Sequence, residues 1–158
     1  MQETNNKLPK LLRVFLILSF IGSSFFMFSG LQDALSSPSQ EQLESFKEIF
    51  DDVDDESPES QQLIEDSIDY MENLSANSVN YGATRFMLYA ISLIGVYLMY
   101  RRRKIGLSVY AVAQVLLLGI PILFGGYNGF SVGVTFVLTF LTMTFIVVYA
   151  SQMKYLEQ

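Results

Sequence analysis

The residues best suited to chemistry in this chain fall into three groups. The first is "DDVDDE" at 51–56, whose clustered carboxylates are the hard oxygen donors that calcium prefers. An EF-hand loop needs D-x-[DN]-x-[DN]-G with a Glu at its twelfth position. Counted from Asp52, the sixth residue is Ser57 and the twelfth is Leu63, so that motif is absent. The second group is the run Arg101, Arg102, Arg103, Lys104, a dense positive charge between two apolar stretches. The third is a sparse set of polar residues in apolar surroundings: Tyr110 and Gln114, then Thr135, Thr139 and Thr142. Missing residue types narrow the chemistry further. The chain has no histidine and no cysteine, which removes the commonest general base and metal ligand along with all thiol and disulfide chemistry. No serine and lysine at one depth make a nucleophile–base pair. The sequence therefore predicts no catalytic residue, no cofactor, no metal centre and no enzyme.

The elements that must position these residues follow from the charge distribution. Apolar residues make up 51% of the 158 and charged residues 16%, well below the roughly 25% charged residues of soluble domains. Fourteen of the sixteen acids lie between Asp33 and Glu72, and of ten Lys and Arg only Lys47 and Arg85 lie between Asp33 and Tyr100. Outside the acidic block stand four long runs with almost no charge, at 11–31, 81–100, 105–124 and 130–149. Each is about twenty residues and so about 30 Å of helix, the thickness of a hydrocarbon core. The second run is the weakest. Its uninterrupted apolar part, 86–100, reaches only about 22 Å, so the span must draw in Arg85. The predicted fold is an all-α integral membrane protein, a four-transmembrane-helix antiparallel bundle. Its remaining parts are an N-terminus at 1–10, an acidic loop at 32–80, a basic loop at 101–104, a short turn at 125–129 and a C-terminus at 150–158.

Positive residues beside membrane spans stay on the cytoplasmic side. Lys7, Lys10 and Arg13 precede the first span, the RRRK run joins the second to the third, and Lys154 follows the fourth. The run is therefore read as a topology anchor, which places both termini in the cytoplasm. Four residues pressed against headgroups offer none of the aromatic or polar readers of a nucleic-acid surface. The first run, with "DALSS" after it, has the outline of a secretory signal, but it exceeds the 7–15 apolar residues of a signal core and reads as an uncleaved anchor. The short loops and lean composition point to a bacterial inner membrane.

The acidic loop carries a net charge of −13 from fourteen acids and Lys47, yet its pattern is helical. Leu43, Phe46, Ile49, Phe50 and Val53 form one stripe; Ile64, Ile68, Met71 and Leu74 form another. "SPSQEQL" at 37–43 and "SPESQQL" at 57–63 each open with a capping Ser and a Pro suited to the first helical turn. Two amphipathic helices, at about 38–53 and 58–74, are expected to form an extracytoplasmic hairpin. "NLS" at 73–75 matches a glycosylation sequon, relevant only in a glycosylating compartment.

Polar side chains at membrane depth are costly and so draw attention first. Gln114, with Tyr110 one turn before it, is expected to link helices, and the threonine stripe to form a packing face. Ser19, Gly22 and Ser23 offer a small face on the first span, and Gly129 and Gly133 a weak G-x-x-x-G. Pro121 is placed to kink the third span. Arg85, one turn below the acidic surface, is expected to pair with Asp33, or failing that with Asp69 or Glu72; the alternative is an exposed arginine that snorkels to the headgroups. A large first loop and a tiny second one resemble the claudin layout, but the Trp and Cys residues of that family's loop are absent here. The four-helix quinone-linked thiol oxidoreductases are excluded by the lack of cysteine. The expected function is a non-catalytic membrane protein acting by contact, an accessory or assembly subunit or a scaffold. Its partners are then the lipid bilayer and another membrane protein or a second copy, and no nucleic acid. The alternative is an oligomeric channel or small-solute transporter lined by Gln114 and the threonines.

Overall fold

A computed structural model describes residues 9–36, 44, 45, 48 and 57–156. Glu44, Ser45 and Glu48 are helical; the rest of the expected first loop helix, its apolar stripe and the "DDVDDE" turn lie outside the described residues. The described chain is almost entirely helical: α1 Lys10–Leu35, α2 Pro58–Ala76, α3 Ser78–Tyr100, α4 Ile105–Leu118, α5 Ile120–Gly125, α6 Gly129–Ser151 and a closing 3-10 turn Met153–Tyr155. Four stretches are long and apolar enough to cross a membrane: α1, α3, α4 with α5, and α6.

The third of these is not one regular helix. Its ladder tightens at Gly119, whose N–H reaches Leu116 O at 3.2 Å, and restarts at Ile120 with Pro121 in the first turn. Proline has no N–H to continue the ladder, which is the cause of the break. At the other extreme α1 runs 26 residues, about 39 Å. It passes the expected end at residue 31 and carries Asp33 onto the helix.

The tightest packing joins α1 to α3. On α1, Leu12, Leu16, Ser19, Ser23 and Gly30 are buried; on α3, Ser78, Gly82, Ser92, Gly95, Val96 and Met99 are. The α1 series steps by four, three, four and seven residues, and Ser78, Gly82, Ser92, Val96 and Met99 by four, ten, four and three, close to multiples of a 3.5-residue period that keeps one stripe facing one partner. Phe26 stacks on Tyr89 with centroids 5.3 Å apart, and Ser23 meets Ser92, so the two helices run antiparallel. At Gly82 a Cβ would strike the backbone of Ala34 and approach Gly30 O to 2.5 Å. Only glycine lets the two backbones come this close. Gly95 and Gly106 bring α3 and α4 together in the same manner.

The α3–α4 turn is the RRRK run. Arg103 N–H bonds Leu98 O and Arg102 N–H bonds Met99 O, both at 2.9 Å, the paired bonds of a Schellman ending. Arg102 takes the left-handed position (φ 62°) that glycine usually fills. At this basic end Leu12, Leu16, Val96, Met99, Leu107, Tyr110 and Tyr149 form one apolar core, and Leu156 folds back into it.

Candidate functional site

At the acidic end Arg85 Nη1 donates to Asp33 Oδ2 at 2.6 Å and to Tyr81 OH at 3.1 Å. Its guanidinium lies 5.0 Å from the Tyr81 ring centre and 5.9 Å from that of Phe26. Asp33 reaches it because α1 extends past residue 31, and Arg85 because α3 begins at Ser78. Asp69 and Glu72, the alternative partners, are exposed on α2. The pair joins α1 to α3, and Tyr81 passes the contact on to Phe124 of α5 with centroids 5.9 Å apart.

Two polar clusters lie deeper. Gln114 Nε2 donates to Ser92 Oγ at 3.0 Å, and Ser92 Oγ lies 3.1 Å from Ser23 Oγ, so α4, α3 and α1 are tied in one line. One turn toward the basic end, Tyr149 OH donates to Phe15 O at 2.8 Å and lies 2.6 Å from Ser19 Oγ. Because Tyr149 spends its proton on the carbonyl, Ser19 must donate to Tyr149, which leaves Ser19 free to accept the longer 3.4 Å contact from Tyr110. Ser19 and Ser23 on α1, like Tyr110 and Gln114 on α4, are four residues apart and share a face.

Among the described residues no hydrogen bond joins the threonine stripe to Gln114, which bonds Ser92. Thr142 is buried, while Thr135 and Thr139 are half-buried. Thr139 returns its hydroxyl to Thr135 O at 2.8 Å, and Thr135 Oγ1 is enclosed with no hydrogen-bond partner among the described residues. Of the expected small face on α1, Ser19 and Ser23 are buried, together with Gly30, while Gly22 has open space where a Cβ would stand. Gly133 has open space as well, so it closes no helix pair.

The loop helix α2 docks on the α5–α6 turn, and here the expected stripe gives way to its neighbour. The buried residues of α2 are Ser67 and Tyr70, while Met71 stays 37% exposed and Ile64, Ile68 and Leu74 are half-buried. Tyr70 packs on Phe130 with centroids 5.2 Å apart and rests against Gly125, where a side chain would displace its ring. Asp66 Oδ2 accepts from Gly129 N at 2.8 Å, and Asn128 Nδ2 donates to Asp66 O at 2.9 Å. Asn73 Nδ2 donates to Gly125 O at 3.3 Å, beside Gly126, whose φ of +84° demands glycine. The carboxylate thus meets the Gly129 N–H at the positive end of α6. The loop acids are not all solvated: Asp66 is part of the fold. Burial pushes the Tyr70 phenol up to about 12; nearby Tyr81 adds to this and Arg85 opposes it.

Asp66, Tyr70, Ser92 and Tyr149 were not singled out by spacing or charge. A signal existed for Ser92, a small polar residue on the 3.5-residue series of α3; Asp66 had none that set it apart in its acidic block. Among the described residues no group of His, Cys, Asp and Glu could hold a metal ion. No protein-family model, no curated protein and no solved structure matches the chain.

Proposed function

We propose that the chain is a four-span antiparallel membrane bundle that works by contact, as an accessory or assembly subunit or a scaffold, and not by catalysis. It sits in a bacterial inner membrane with both termini cytoplasmic, an acidic helical hairpin outside and the RRRK turn as topology anchor. The observation that carries this reading is the way the mid-span polar groups bond one another. Gln114, Ser92 and Ser23 form one tie, and Tyr110, Ser19 and Tyr149 another. Such groups hold helices together; a conducting path would need them turned toward a lumen. The separation of Gln114 from the threonine stripe also counts against the channel reading. Among the described residues outside the four apolar stretches, α2 offers a partner its exposed Glu59, Glu65 and Asp69. A photo-crosslinking residue at Glu65 or Asp69, activated in native membranes, should give one discrete heavier adduct. The contact reading fails if no adduct forms while the reconstituted protein passes ions or small solutes and Gln114→Leu stops the flux. A cysteine at Ser60 should react with an impermeant thiol reagent on spheroplasts and one at Gln158 only after permeabilisation; the reverse pattern would overturn the orientation.

A further inference from the structure

The basic end is built from three separate segments of the chain. Seven of the eight cations among the described residues lie there, and no described acid does. Lys10 and Arg13 open α1, the RRRK turn joins α3 to α4, and Lys154 lies in the 3-10 turn after α6. Leu156, only 4% exposed, is what gathers them. It enters the same core as Leu12, Met99 and Leu107, and so draws the segment bearing Lys154 to the starts of α1 and α4. Lys10, Arg13, Arg101, Arg103 and Lys154 are all exposed. Tyr100 and Tyr155, 61% and 44% exposed, stand at the same end, where aromatic side chains meet a headgroup layer.

We propose that this end is a docking surface for anionic phospholipids, with headgroup phosphates seated against the exposed Lys10, Arg13, Arg101, Arg103 and Lys154. The cations lie at the ends of the apolar helices, the level at which headgroup phosphates stand, which selects a lipid over a soluble partner. The proposal rests on membrane insertion as read above but not on which face is cytoplasmic.

The test uses the full-length chain purified in mild detergent and exposed to equimolar phosphatidylglycerol and phosphatidylcholine, with retained lipids counted by native mass spectrometry. Phosphatidylglycerol should be retained at least fivefold over phosphatidylcholine. The preference should fall by roughly fivefold for each of Lys10→Gln, Arg13→Gln and Lys154→Gln, the attraction of one basic residue to an anionic leaflet. Leu156→Ala, which removes no charge, should also weaken it by releasing the turn that carries Lys154. If Leu156→Ala does not fold, the three exposed-residue variants decide alone. Equal retention of the two lipids, or a preference that survives the triple substitution, overturns the proposal. Displacement of phosphatidylglycerol by millimolar inorganic phosphate would show a phosphate site and no lipid surface. Reversed thiol labelling with the lipid preference intact would sink only the orientation.

Discussion

Neutralising Arg85 should cost the fold more than a residue about two turns from a helix start normally would. Its side chain is 14% exposed and that of Asp33 35%, so the pair is neither a surface bridge nor a dry one. Surface pairs contribute about 0–1 kcal/mol, and breaking a buried pair by removing one partner costs about 3–5 kcal/mol. Arg85→Gln loses the charge-assisted bond to Asp33, about 1.5–2 kcal/mol after discounting for the wetter partner. It also loses contact with two aromatic faces, about 0.5–1 kcal/mol in total. The expected loss is about 2–3 kcal/mol. Asp33→Asn keeps the shape and leaves the arginine its rings and Tyr81, so about 1–2 kcal/mol is expected. Thermal unfolding of both single variants and the double variant in one detergent closes the cycle. A coupling of about 1–1.5 kcal/mol should appear, against an additivity tolerance of about 0.3–0.5 kcal/mol. Salt at 0.5 M should reduce it only slightly, because a partly enclosed pair is poorly screened. Additive losses, or a loss under about 1 kcal/mol for Arg85→Gln, would mean that the guanidinium snorkels to the headgroups and ties nothing.

Tyr70 is held neutral by burial and its folded value lies above the unfolded one near 10. Its contribution is therefore complete below pH 10 and lost between 10 and about 12; Tyr70→Phe should flatten part of the fall in unfolding midpoint over that window, and an unchanged slope would refute the docking of α2. Thr135→Val removes an enclosed hydroxyl that has no partner among the described residues and should stabilise the fold by about 1 kcal/mol; a clear loss of unfolding midpoint would mean that the hydroxyl is satisfied. Gly82→Ala drives a methyl into the α1 backbone and should cost about 2–3 kcal/mol in detergent unfolding, while Gly133→Ala, with open space around it, should be near neutral. Tyr149→Phe leaves Ser19 without its acceptor and should cost about 1 kcal/mol in the same assay; no change would remove this tie from the packing argument.

The four apolar helices were legible because lipid is intolerant of charge: a chain with almost all its acids between residues 33 and 72 announces where it can cross. Which side of each helix packs was harder to see. Every face of α1 is apolar, so alternation of polar and apolar residues carries no information there. Residue size carries it instead. Ser19, Ser23 and Gly30 sit on one 3.5-residue stripe with Leu12 and Leu16, and small side chains allow the close backbone approach that packing between lipid-exposed helices depends on. Gly22 lies one residue outside that stripe and meets nothing. Smallness alone misplaces the face; smallness at the right period finds it.

The acids show the same limit in a sharper form. Asp33 could be read as a partner for Arg85 because a cation drawn into a span needs a carboxylate at its own level, and Asp33 is the acid nearest a span end. That is a one-dimensional argument, and sequence supplies it. Asp66 has no such argument. It lies in α2 among Glu65, Asp69 and Glu72, with nothing in type or spacing to separate it from them. Its role is set by the start of α6, sixty-three residues further on, whose Gly129 N–H is left without a partner inside its own helix and finds the carboxylate. The apolar stripe of α2 pointed to an apolar dock, yet the dock is a turn built from Gly125, Gly126 and Asn128, which offers exposed backbone and room for a tyrosine ring. A helix end recruits a carboxylate through dipole and hydrogen bond, and both depend on where the helix stops in space. The sequence therefore reveals that α2 is a helix and which acids it bears, while the acid that fastens it is decided by the turn it lands on.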